Sequence, residues 1–399
     1  MDDRLYWIWM QRAIAPGSLK ADALLRGFGS AAAVYETGES ELAPFHLTSS
    51  EIDRVMDKSL EKPRAVLKNV LGQGGWVLTP EDSLYPSLLR AIPGVPLVLY
   101  GRGELPDLDI LPAVAVVGTR ETTGYGRRAT ALLAGGLALG GAVIISGGAR
   151  GVDTVAHESA MAAGGQTVAV QGCGLDVPYP PQNSGLREKI INSGAVISEF
   201  PPGALPLHHH FPLRNRLISG MSLGVCVTEA PERSGALITA RHAFEQGRDV
   251  FAVAGDMLSG RSAGTDELIR QGARLVTDAV EIIEEYHPRF PDILNPKAAE
   301  GVRADPRFRA LPVAEEEQPR PAPVPDKPDL RPAQPQCPDS VSEQARSIYR
   351  LLCSAAKTLG ELIDESGMSA PQAMTVLTEL ELCGAVCCAP GQVYYLRAN

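Results

Sequence analysis

Arg150 sits among three glycines, Gly147, Gly148 and Gly151, in the run SGGARGVD that begins at Ser146. An apolar run ending at Ile144-Ile145 precedes it, and a helical stretch opens near Asp153. The pattern predicts a strand, a glycine-rich turn, a helix and a second strand, all within Ser146–Val170. Free amides at the helix start, the helix dipole behind them and Arg150 beside them would seat a phosphate across Ser146, Gly147, Gly148, Ala149, Arg150 and Gly151. A plain structural turn would need only the glycines. Arg150 adds nothing to such a turn, so the phosphate reading is preferred.

The elements that must hold this turn alternate in the manner of a parallel sheet with helices on both faces. Strands are predicted at Ala113–Val117, Ala142–Ser146, Thr167–Val170, Ala195–Ser198, Gly224–Thr228 and Asp249–Val253, with a shorter apolar strand at Leu97–Tyr100. Helices are predicted over Arg127–Leu139, Asp153–Ala163, Ala236–Gln246 and Asp266–Gln271. In such sheets ligands bind beyond the carboxyl ends of the strands. Gly118, Thr119 and Arg120 follow the first of the main strands. The loop HHHFPLRNR would bring Arg214, Asn215 and Arg216 to the same rim. Arginine's planar fork suits phosphate and also stacks on a base. The competing use of these arginines is pairing with Glu199 and Glu229, and both uses are compatible on one rim.

Asp153 and His157 lie one helical turn apart. A helix-start aspartate caps amides and a histidine four residues on can pack against it or face the rim, which is preferred over a catalytic pair, and both are counted among the expected DNA-binding residues. No serine or cysteine stands in an elbow-like setting, so no catalytic residue is assigned. His208-His-His210 is too contiguous to converge on one ion, and no metal is expected. GxxxxGK[ST] and the strict GxGxxG fingerprint are both missing, so no nucleotide cofactor is implied. The seven cysteines show no repeated CxxC spacing and read as thiols rather than a disulfide framework.

A formal net charge of −10 over 399 residues argues against a protein that coats nucleic acid indiscriminately. Any such site must be a local basic patch. No apolar stretch is long enough to span a bilayer and no signal-peptide core is present, which points to a cytoplasmic protein. Twelve of the 32 prolines lie between Pro291 and Pro338, so residues 289–340 read as a semi-stiff linker. It would separate a helical domain at 1–75 and an α/β core at 76–288 from a small module at 341–399. In the first domain, Gly27-Phe-Gly29-Ser between two short helices looks like a helix-hairpin-helix turn, favoured as structural or docking.

The strings AVVGTR (115–120), SGGARGVDTVAH (146–157), GCGLDVPYPPQN (172–183), ISEFPPG (197–203), FPLRNRLISGMS (211–222) and EAPERSGALITARHAFEQGRDVFAVAG (229–255) together resemble the DNA-processing protein A family, also called DprA or Smf. The resemblance is strong over Asp82–Val276. It implies an extended Rossmann-like, doubly wound, mostly parallel sheet with a small helical, SAM or helix-hairpin-helix-like N-terminal domain. It further implies single-stranded DNA binding at the strand ends and loading of the RecA recombinase by a homodimer, with single-strand-binding protein as a further partner and no membrane. Arg120 would contact DNA, 146–151 would seat a phosphate, Arg214 would be a second cationic contact, and Tyr179 would be a stacking surface. Many relatives carry a lysine where this chain has Val177, so the resemblance implies that one phosphate contact is either missing or supplied by Arg187.

Leu217–Met221 and Leu237-Ile238 could line the dimer surface, although burial in the core is the preferred use. The C-terminal module resembles a winged helix. Its presumed recognition helix, SAPQAMTVLTELEL, has no lysine or arginine, so protein contacts are expected of it rather than duplex DNA. The competing functional class is a nucleoside-monophosphate phosphoribohydrolase-like enzyme. In that reading PERSGALITA lacks the glutamate such a loop needs, with Ile238, Thr239 and Ala240 in its place.

Overall fold

The computed structural model describes residues 2–256, 258–309, 341–353, 357–383, 385–389 and 393–396. They fall into two compact units, one within Met1–Glu316 and one within Glu317–Asn399.

The first unit is built on a nine-stranded sheet. Its strands are β1 (Trp76–Leu78), β2 (Leu99–Gly103), β3 (Ala113–Val117), β4 (Val143–Ser146), β5 (Thr167–Gln171), β6 (Gly194–Ser198), β7 (Gly224–Val227), β8 (Asp249–Ala252) and β9 (Arg274–Leu275). Their spatial order is β1-β2-β6-β5-β4-β3-β7-β8-β9. From β6 to β9 every pairing is parallel, and β2 and β1 close one edge antiparallel. The main strands are Val-, Ile- and Ala-rich and buried along their length, as a sheet covered on both faces demands.

Alternate residues feed different cores. Ala115, Val117, Ile145 and Val227 pack with Leu217, Ile218 and Met221 on one face. Val114, Val116, Ile144 and Cys226 pack with Leu133, Leu137 and Val152 on the other. The chain runs outward from β3 through β4 and β5 to β6, then returns to β7 on the opposite side of β3. The switch point, where ligand crevices form in such sheets, therefore lies between β3 and β7.

The helices before Trp76 share a core with the sheet. Ile8, Trp9, Met10 and Leu24 pack in one cluster with Tyr100, Ala169 and Val196. Gln11 fastens the join by donating to the Glu199 carbonyl at 2.7 Å. The expected hairpin is present as helices Leu19–Phe28 and Ala31–Glu36, turned by Gly29 at φ 89°.

Several boundaries differ from the sequence reading. The segment HHHFPLRNR is mostly helix, His210–Gly220, because Pro212 falls in the first turn, where a missing amide costs nothing. The first part of the presumed linker is also folded. Pro296 opens the helix Pro296–Glu300 and Pro306 opens Pro306–Arg309, so both prolines start helices instead of breaking them. Leu294, Val302 and Phe308 are buried, and Gly135 leaves the space that the Phe308 ring fills. The rest of that presumed linker, 310–340, lies outside the described residues. Among those described, no helix is long and apolar enough to cross a membrane.

The second unit has the helices Glu343–Leu352, Leu359–Ser366 and Ala370–Leu382. Its three strands, β10 (Lys357–Thr358), β11 (Val386–Ala389) and β12 (Val393–Leu396), are ordered β10-β12-β11. Ile348, Leu352, Leu362, Leu377 and Leu380 form its core. This is the winged-helix arrangement. Glu379 accepts from the Ser342 amide and hydroxyl at 2.6 and 2.7 Å, so one of the two glutamates of the third helix caps the first.

Candidate nucleic-acid interface

Three loops, those after β3, β4 and β7, meet at the switch point because two glycines let them touch. A Cβ on Gly118 would stand 2.7 Å from the Glu229 carbonyl, and one on Gly151, at φ +79°, would stand 2.3 Å from the Thr119 carbonyl. Only residues without a Cβ allow that approach. The Thr119 amide then donates to Glu229 at 2.8 Å, and the Val152 amide donates to Thr119 at 3.1 Å. Glu229 fixes the loop after β3 from beneath. Its carboxylate accepts from the Thr122 hydroxyl (2.7 Å), the Thr123 amide (2.9 Å) and the Thr123 hydroxyl (2.6 Å).

The glycine-rich turn is held from inside. Ser146 is buried and donates its hydroxyl to the Val116 carbonyl at 2.7 Å. The Ala149 amide donates to the Asp153 carboxylate at 3.2 Å, and Thr154 donates to the Ala149 carbonyl at 2.8 Å. One amide of the expected phosphate seat is thus already taken by the chain's own aspartate. Burial pushes the Asp153 carboxyl up from its ordinary range, while Arg214 and the Ala149 amide pull it back.

The arginines divide into two kinds. Arg120, Arg150 and Arg233 are exposed, and among the described residues none of the three is ion-paired. Arg120 and Arg150 come from the loops after β3 and β4, while Arg233 follows β7 and was missed in the sequence. Arg214 is 5% exposed and donates through Nη1 to the Gly147 carbonyl at 2.6 Å and to the Val170 carbonyl. It ties together the ends of β4 and β5. Its Nε donates to Asn215, whose Nδ2 donates to the Gly235 carbonyl at 3.2 Å.

Arg216 does not reach the rim. Its guanidinium grips both oxygens of Glu199 at 2.6 Å deep in the fold. The physical reason is the helix: residues two apart project about 200° from one another, so Arg214 and Arg216 cannot share a face. His157 is also absent from the rim. It is fully buried with Nδ1 2.7 Å from the Thr167 hydroxyl, and burial drives its pKa down to about 3.

Phe211, unnoticed in the sequence, is the hub of the rim. The Arg120 guanidinium stands 5.3 Å from its ring centroid and that of Arg214 6.0 Å away. The Tyr179 ring lies 5.3 Å from it, tilted by 39°. The signal was present in the sequence, since an aromatic directly before Pro-Leu-Arg begins the helix carrying Arg214, but a loop reading gave that ring no fixed direction. Around these groups is a cavity of about 400 Å³, lined by Thr119, Arg120, Arg150, Phe211, Asn215 and Arg233 among others. The helix Ala236–Glu245 presents Ile238 and Thr239 to it, and the carboxylates on its lining are Glu121 and Asp153. Among the described residues no cluster of His, Cys, Asp or Glu is arranged to hold a metal ion.

Residues 76–287 match the family described as DNA recombination-mediator protein A. The chain belongs to this family, DprA/Smf. Residues 331–392 match the DprA winged helix domain. The DNA processing protein DprA of Streptococcus pneumoniae is 46% identical over 205 residues, which are 51% of this chain and 72% of that protein. A DNA processing protein DprA of Mycobacterium tuberculosis is 34% identical over 98% of this chain and 94% of its own length. The X-ray structure of DprA from Streptococcus pneumoniae aligns with a TM-score of 0.62 and 35% identity, over 71% of this chain and 98% of that one. The DprA/Smf relation therefore spans both folded units.

Proposed function

We propose that this DprA/Smf protein captures single-stranded DNA at the rim between β3 and β7, and that as a homodimer it loads a RecA recombinase onto that strand. The observation that carries this reading is the set of three exposed arginines, without carboxylate partners among the described residues and on an otherwise acidic chain, around a cavity of about 400 Å³. Phosphates attract the guanidinium groups. A base needs an aromatic plate, which the Phe211–Tyr179 pair supplies. A duplex keeps its bases stacked and shut away from such a cavity, whereas a single strand offers them freely.

In this reading Arg120, Arg150 and Arg233 take phosphate, and the backbone from Gly147 to Gly151 borders the same phosphate path. Gly118 and Thr119 shape the wall, and Asn215 lines the floor. Arg214 and Asp153 are positioning residues that set the turn. Ser146 does the same through Val116. Two copies on one strand would raise the effective concentration at the second rim. The acidic bulk repels other nucleic acid and leaves the rim as the point of entry.

Recombinase filament growth on a strand coated with single-strand-binding protein tests the mediator role. Wild type should shorten the lag, and the Arg120→Ala, Arg150→Ala double variant should not. Equal stimulation by both proteins would refute the rim as the place where the strand is held.

A further inference from the structure

A second cavity, of about 310 Å³, lies between the end of β5, the Ser184–Ser193 helix and the Pro178–Pro180 turn. It is distinct from the arginine rim, and the Tyr179–Phe211 pair stands between them, with Tyr179 lining one cavity and Phe211 the other.

Two polar groups on its lining are buried and unmatched. Gln171, the last residue of β5, is 7% exposed and its Oε1 has no hydrogen-bond partner. A buried acceptor without a donor is a cost to the fold. Arg187 donates through Nη1 to the Val177 carbonyl at 3.2 Å, but its Nε is likewise buried without a partner. Arg102 lines the same cavity, half-buried, with Glu188 3.6 Å away. Burial weakens the hold of Arg187 on its proton, and the neighbouring Arg102 charge weakens it further. Arg187 has no ion pair among the described residues, and the only carboxylate on Arg102 is the exposed Glu188 at 3.6 Å, which a phosphate reaching both guanidinium groups would have to displace. The remaining walls mix apolar Leu175, Leu186, Ile190 and Pro178 with polar Gln73, Asn183 and Ser184, and two carboxylates, Asp176 and Glu188, also line the cavity.

A slot with one apolar side, an amide on its wall and two guanidinium groups beside it matches the parts of one nucleotide. The apolar walls take the base, the amide takes its edge, and the arginines take its phosphate. A glutamine amide carries an acceptor beside a donor, and every base has an edge that answers such a pair. The slot therefore accepts any base.

We propose that this cavity is a second nucleotide seat for the bound strand. Gln171 engages the base edge, Arg187 and Arg102 engage its phosphate, and the strand crosses the Tyr179–Phe211 pair between the seat and the rim. The proposal rests on the single-strand reading of the rim.

The test uses the full chain, a labelled thymidine 20-mer and anisotropy across a salt series, with urea unfolding alongside. Gln171→Met keeps the side chain's bulk and removes the unmatched acceptor. It should unfold at the same or higher urea concentration than wild type, yet bind the strand about tenfold more weakly. An abasic strand should bind wild type and this variant alike. Arg187→Ala should lose about tenfold and flatten the salt slope by about 0.7, the share of one single-strand phosphate.

Wild-type binding by both variants while Arg120→Ala is weakened would overturn the seat and leave the rim standing. Lower stability of Gln171→Met with unchanged binding would make Gln171 scaffold and also overturn the seat. Free thymidine monophosphate binding at micromolar concentration, lost in Gln171→Met while strand affinity is unchanged, would make this a mononucleotide site and refute the strand assignment. If wild type binds no strand at all, the rim reading fails and the seat falls with it.

Discussion

Beneath the rim, Arg214 and Arg216 are spent on the protein itself: one donates to the carbonyls that end β4 and β5, and the other clasps Glu199. On the outer lip, Arg120, Arg150 and Arg233 sit on loops, exposed and without ion pairs among the described residues. The same side chain therefore does opposite work a few ångströms apart. A helix packed on the sheet turns its arginines inward, where desolvation must be offset by carbonyls or a carboxylate. A loop that leaves the end of a strand has no such partners and leaves its arginine for an incoming anion. The winged-helix unit makes the contrast sharper. Its third helix exposes Pro371, Gln372, Met374, Thr375, Thr378 and Glu381, with no cation among them. The arrangement that reads duplex DNA in other proteins lacks here the charge that the rim possesses.

Breaking the inner set should give the largest effect, and on stability rather than binding. Glu199→Gln leaves the Arg216 charge buried with a weaker partner, and Glu199→Ala leaves it with only the Gly94 carbonyl and no counter-charge. The alanine variant should lose about 3–5 kcal/mol in urea unfolding, and at matched folded fraction its strand affinity should stay within about twofold of wild type. Breaking the outer set should do the reverse. Arg120→Ala with Arg150→Ala should weaken single-strand binding on the order of a hundredfold, since each charged hydrogen-bonding group contributes about 1.5–3 kcal/mol, with little change in the urea midpoint.

The interior also predicts a response to acid. His157 is neutral when folded, with a pKa near 3, against 6.5 when exposed. Below pH 6.5 the unfolded chain takes up a proton that the folded chain refuses, so stability falls as pH falls through the window from 6.5 towards 3. Between pH 6.5 and 5 the loss is about 1.6 kcal/mol. A His157→Asn variant should lose that pH dependence in urea titrations, whatever its baseline stability. The smallest effect belongs to the winged-helix unit. Truncation after Arg309 should change single-strand affinity by less than about twofold. A large loss there would move the site off the rim.

How much of this was legible follows from which signals are local. The strands from Ala113 to Ala252 announce themselves as short Val- and Ile-rich runs ending in glycine or polar residues, and the parallel order follows from their alternation with helices. The loops after β3 and β4 could be assigned to the ligand because the end of a parallel strand has a fixed meaning. Arg216 and His157 were expected at the rim and lie inside the fold, because the direction of a side chain depends on which face of its helix, His210–Gly220 or Val152–Ala162, meets the sheet. A histidine run followed by proline disguised the first of these helices. Pro296 and Pro306 misled in the same way, since a proline that ends one element cannot be told by type from one that starts the next. Phe211 and Gln171 gain their meaning only from neighbours far away in sequence.

The most direct measurement of the central claim is the salt dependence of single-strand and duplex binding for wild type and Arg120→Ala. The account predicts that wild type prefers the single strand, with affinity falling steeply as salt rises, and that Arg120→Ala binds more weakly with a slope flatter by about 0.7. A duplex preference, or an Arg120→Ala variant with the affinity and slope of wild type, would contradict the claim that the exposed arginines of this rim hold the strand.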